Sequence, residues 1–68
     1  MRADLSDREG EVLRQVAAGF SNKDIAVRLG IGVKSVETYK ARSMKKLGLR
    51  NRVDIVRYAL QRGWLSQA

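Results

Sequence analysis

Residues 19–49 read GFSNKDIAVRLGIGVKSVETYKARSMKKLGL. Three glycines in this stretch, Gly19, Gly30 and Gly48, are each followed at once by a large apolar residue, Phe20, Ile31 and Leu49. A glycine just past a helix takes up the left-handed backbone without a Cβ clash, and the apolar residue after it packs back onto the last turn. The stretch therefore holds a short helix over 22–29 and a longer one over 33–47, joined by a turn that contains Gly30 and Gly32. Ser21, with Asp24 three residues on, marks the first start as a hydroxyl cap whose partner carboxylate returns to the cap's own N–H. Gly32 occupies the second cap, where it satisfies fewer of the free N–H groups. A short helix, a tight turn and a longer basic helix, in that order, form the pattern of a helix-turn-helix.

The same punctuation extends outward. Gly63-Trp64 ends a last helix, Ser6 with Glu9 starts a first one, and Asn51 with Asp54 is a weaker start for the fourth. The expected architecture is a compact all-α domain over 1–68 with helices of about 7–18, 22–29, 33–47 and 52–62. Apolar periodicity assigns Val12, Leu13, Val16 and Ala17 of the first helix, Ile25, Ala26 and Leu29 of the second, and Ile55, Val56, Ala59 and Leu60 of the fourth to the core. Gly10 falls inside the first helix, where it costs about 1 kcal/mol relative to alanine. The chain of 68 residues contains no proline, cysteine or histidine. Disulfides, thiolate nucleophiles and cysteine-ligated zinc are excluded, and no metal, cofactor or catalytic constellation is expected. Apolar stretches such as Val16–Ala18 are far too short for a membrane span or a signal-peptide core, so the expected location is the cytoplasm.

The net charge is +7. Residues 1–33 carry as many acidic as basic groups, so the whole excess falls in residues 34–68, as an electrostatic footprint for a polyanion would. A helical wheel locates it further. Taking about 100° per residue from Val36, the side that turns inward holds Val36, Lys40, Ser43 and Leu47, flanked by Tyr39 and Met44. Lys34, Glu37, Thr38, Ala41 and Lys45 lie opposite and form the face offered to DNA. Lysine can donate to guanine, glutamate can accept from cytosine N4, and the Thr38 methyl and Ala41 can touch a thymine methyl. Glu37 has a competing use as an ion-pair partner of Lys34 or Lys40, and both readings stand at this point.

Arg42 and Lys46 at the sides of this face, and Lys40 on a stem that can reach out to solvent, suit phosphates, which position a protein on the duplex without specifying sequence. Ser21, Asn22 and Lys23 at the start of the second helix present a hydroxyl, an amide and a cation beside free N–H groups and form a second phosphate candidate, alongside Ser21's ordinary role as a cap. Tyr39 is expected to pack with its hydroxyl near the DNA backbone. As the single aromatic of the basic helix, it makes a poor single-strand platform.

The runs Leu5-Ser6, Arg8-Glu9, Glu11-Val12-Leu13, Gly19 to Ala26, Leu29-Gly30-Ile31, Val33 to Tyr39 and Lys46 to Arg52 resemble the LuxR-type, GerE-like helix-turn-helix domain, and together they cover nearly the whole chain. The resemblance implies a four-helix domain that binds double-stranded DNA and regulates transcription, usually at the C-terminus of a response regulator or ligand sensor, with RNA polymerase as a further partner. It implies base reading by Glu37, Thr38 and Ala41, and a homodimer through the last helix at Val53, Asp54, Arg57 and Gln61. Two positions depart from the family pattern: Gly32 stands where a serine cap is common, and Ser43 where an aliphatic core residue is common. Trp64 and Leu65 are expected to cover the core rather than join the dimer. The competing function is a protein-interaction module that keeps the fold without reading DNA, but such a surface needs an apolar anchor, which the Lys34, Glu37, Thr38 and Ala41 set lacks.

Overall fold

The computed structural model describes residues 5–65. These form four α-helices and no strand: α1 (Asp7–Ala17), α2 (Asn22–Leu29), α3 (Val33–Leu47) and α4 (Arg52–Gln61). The expected bounds hold to the residue for α2 and α3, while α1 and α4 each end one residue earlier, at caps Ala18 and Arg62.

All four stops close in the same way. The apolar residue after each glycine donates its N–H to the carbonyl five residues back: Phe20 to Gln15, Ile31 to Ala26, Leu49 to Met44 and Trp64 to Ala59, at 2.8–3.1 Å. This i to i−5 bond consumes a carbonyl that the helix leaves free, and it requires the preceding residue to be left-handed, as Gly30 is at φ 67°.

The starts divide by side-chain length. Ser6 and Glu9 form the full reciprocal box, with Ser6 Oγ accepting from the Glu9 N–H at 3.2 Å and Glu9 Oε1 accepting from the Ser6 N–H at 2.9 Å. At α2 only half of the expected box forms: Ser21 Oγ accepts from the Asp24 N–H, and no return bond from the carboxylate is present. Aspartate is one methylene shorter than the glutamate that this motif uses. Asn51 caps α4 through the Asp54 N–H, while the Asp54 carboxylate accepts from the N–H of Arg50 rather than of Asn51. Gly32 caps α3 with no side-chain bond, as expected.

The core consists of Val12, Leu13, Val16, Ala17, Ile25, Ala26, Val36, Ile55 and Ala59, and α1 packs against all three other helices. Leu29, Met44, Leu47, Trp64 and Leu65 are half-buried against it, which bears out a covering role for Trp64 and Leu65. Tyr58 meets Trp64 edge to face at 5.4 Å, and the Arg14 guanidinium lies over the Trp64 ring. Val56 and Leu60 depart from expectation, being half-buried but outside the core cluster. Helix α4 carries two apolar stripes. Ile55 and Ala59 belong to the core cluster, whereas Val53, Val56 and Leu60, spaced i, i+3 and i+7, form a second stripe that, among the described residues, is outside that cluster, with Val53 exposed and Val56 and Leu60 half-buried.

Candidate nucleic-acid interface

Helix α3 is fixed from its buried side. Val36 and Ser43 are fully buried, two turns apart, so the helix cannot roll about its axis without exposing one of them. Ser43 stands where the core is otherwise apolar, and its hydroxyl is within bonding distance of the carbonyls of Tyr39, at 2.7 Å, and Glu9, at 3.3 Å. The second contact crosses from α3 to α1. A hydrogen bond offsets the cost of burying a hydroxyl, and with its single proton Ser43 can satisfy either carbonyl, so the serine is accommodated at this otherwise apolar contact between α3 and α1.

One turn later Lys46 Nζ donates to Glu9 Oε1 at 2.7 Å. Glu9 is 4% exposed, and its one carboxylate oxygen also takes the Ser6 N–H. The Lys46 ammonium, and then the Ser6 N–H, hold its carboxyl below the ordinary carboxylate range, against the opposing effect of burial. Sequence reasoning placed Lys46 among the phosphate ligands and saw Glu9 only as part of a cap. Their pairing spans 37 residues and leaves no local signal. Lysine has three donors, so Lys46, with a side chain 40% exposed, keeps N–H groups for a second acceptor.

The outer face is as the wheel places it. Lys34, Glu37, Thr38, Ala41 and Lys45 are all exposed, together with Arg42. The ion pairs among the described residues are Arg8–Glu11 and Lys46–Glu9, so Glu37 pairs with neither Lys34 nor Lys40 and its carboxylate is free. Thr38 donates its hydroxyl proton to the Lys34 carbonyl at 3.1 Å. Ser35 and Val33, the latter 41% exposed, border the face at the start of α3 and were not singled out from sequence. Both lie in the first turn, where the wheel places them at the edge of the face.

Lys40 and Tyr39 are half-buried, Tyr39 against the core. At the start of α2, Ser21 and Lys23 are exposed and Asn22 is half-buried. The Ser21 oxygen accepts from Asp24, which leaves its own proton available to donate. Arg28, at the other end of α2, stacks on Phe20 at 4.2 Å and bonds Gln15, fastening α2 to the end of α1. On α3, five lysines and arginines stand against the single acid Glu37, which makes this helix strongly basic. A wide, shallow cleft between α1 and the end of α4 is lined by Gly10, Arg14, Tyr58, Arg62 and Trp64 among others, and none of its lining residues belongs to α2 or α3.

On α4, Val53, Arg57 and Gln61 are exposed, whereas Asp54 is half-buried with a carboxylate oxygen bonded to the Arg50 N–H. No helix among the described residues is long and apolar enough to cross a membrane.

Residues 3–59 match the family model described as bacterial regulatory proteins, luxR family. The chain is also similar to the oxygen regulatory protein NreC of Staphylococcus aureus strains JH9, JH1 and Mu3, with 47% identity over 58 residues in each case. The matched segment covers 85% of this chain and 27% of each relative, so the chain corresponds to about a quarter of those proteins' length. The four-helix architecture, the buried seating of α3 and these matches agree: the chain belongs to the luxR family of bacterial regulatory proteins, as a DNA-binding helix-turn-helix domain of transcription regulation.

Proposed function

We propose that the domain reads specific sequences in double-stranded DNA by laying α3 in the major groove, and that it does so as a dimer on an inverted repeat whose half-sites lie about one helical turn apart. The observation that carries the reading is the outer face of α3, where Lys34, Glu37, Thr38, Ala41 and Lys45 are exposed and, among the described residues, none of their charged groups is in an ion pair. Base-edge recognition needs donors, acceptors and methyl groups free at one face, and this face has all three. Arg42, Lys40 and Lys46 flank it for phosphates, with Ser21, Asn22 and Lys23 supplying a second anchor from α2 and Tyr39 a hydroxyl. Pairing of two copies is supported by the α4 stripe of Val53, Val56 and Leu60 with Arg57 and Gln61 beside it, since half-buried and exposed apolar side chains in line on one helix suit a second copy of that helix. Asp54 contributes to this surface from its position at the start of α4.

Selection from random duplex DNA at moderate salt, with the bound pool sequenced and affinity followed against salt, tests the proposal. The expected result is an inverted-repeat motif and a steep fall of affinity with salt. A steep fall with no motif would reduce the domain to a nonspecific polyanion binder, and the absence of binding would favour an interaction module.

A further inference from the structure

The hydrogen bond from Thr38 to the carbonyl of Lys34, one turn earlier, has a chemical consequence for recognition. A threonine hydroxyl owns one proton, and here the helix backbone takes it. What remains uncommitted is a methyl group and an oxygen that can only accept. Three residues further on, Ala41 adds a second methyl on the same exposed face. The side chains around this pair, Lys34, Glu37 and Lys45, are charged. The middle of the reading face is therefore its apolar part.

We propose that Thr38 and Ala41 together form a seat for the 5-methyl group of a thymine, so that the base pair under them is selected by apolar contact and not by a hydrogen bond from Thr38. This inference rests on α3 being the major-groove helix and assigns the chemistry of that site at one position. Thymine is the one base of unmodified DNA that carries a methyl in the major groove. The same seat accepts 5-methylcytosine, so methylation of a cytosine at that position makes the DNA resemble the preferred sequence.

The test uses the duplex obtained by selection, with each thymine replaced in turn by deoxyuridine, which removes the methyl and nothing else. Wild-type protein is expected to lose about fourfold in affinity at one thymine of a half-site, the factor that burial of a single methyl confers. Thr38→Val, which keeps a methyl and discards the hydroxyl, retains that discrimination. Thr38→Ser, which keeps the hydroxyl and discards the methyl, loses it, and 5-methylcytosine at the same position binds more tightly than cytosine. Circular dichroism confirms that both variants are folded. Specific binding that is indifferent to deoxyuridine at every position would overturn the inference while leaving base reading intact, as would discrimination that survives in Thr38→Ser and disappears in Thr38→Val. Failure to select any motif would instead remove the functional reading on which the inference stands.

Discussion

Glu9 holds three groups at once: its carboxylate takes the Ser6 N–H and the Lys46 ammonium, and its carbonyl lies within bonding distance of the Ser43 hydroxyl. The Ser6–Glu9 spacing was legible because a capping box is local, but neither long-range contact was, since Ser43 and Lys46 reach Glu9 across more than thirty residues of chain. Because folding lowers the Glu9 carboxyl from its ordinary value, the unfolded chain binds the proton more readily. The stabilisation is fully present above the ordinary carboxylate value and is lost as the pH falls through the lower, folded one. Thermal melts from about pH 7 to about pH 3 should show Glu9→Gln less stable than wild type at the upper end and less sensitive to acid, because the amide does not titrate. Parallel curves would show that other carboxyls set the acid limb. Lys46→Ala would remove this tie together with any phosphate contact, so Arg42→Ala, exposed and outside the described ion pairs and hydrogen bonds, is the cleaner probe of phosphate binding. It should weaken all duplexes alike and reduce the slope of log affinity against log salt by about one contact's worth, close to 0.9.

At the level of whole helices, the stops were the most legible feature, because a glycine followed by an apolar residue encodes both the left-handed turn and the bond that closes it. The boundary between core and surface on α4 was less so. Periodicity shows that Ile55, Val56, Ala59 and Leu60 are apolar and helical, but two adjacent stripes are indistinguishable until it is known which one α1 covers. Gly10 remains unexplained by packing. A Cβ there meets no atom within 4 Å. Gly10→Ala should therefore stabilise the domain by about 1 kcal/mol, raising the melting temperature by roughly 4–8 °C. Gly30→Ala should do the opposite by about 1 kcal/mol, since open space around Gly30 does not relieve a side chain at φ 67°. Calorimetry on the two variants separates the propensity of a helix interior from the geometry of its end.

For the molecule as a whole, charge and apolar surface are divided between helices: α3 carries the larger share of the basic excess and α4 the second apolar stripe. Val56→Lys places a charge in the middle of that stripe without entering the core. Sedimentation in the presence of a two-site duplex should then show one protein per half-site binding independently, with the cooperativity of wild type gone and the fold retained. A monomeric wild type that already binds the two sites independently would contradict pairing through α4.

The side chains that give α3 its outward chemistry play almost no part in holding α3 in place, which Val36, Ser43 and Lys46 do from the other side. On the proposed reading, stability and DNA preference are thus written in different residues. A library randomised at positions 34, 37, 38 and 41 that leaves out proline and glycine should stay folded in most of its members, a typical substitution shifting stability by about 0.5 kcal/mol. On the proposed reading of DNA by α3, the scaffold could then be given a new preferred sequence without redesign of its interior.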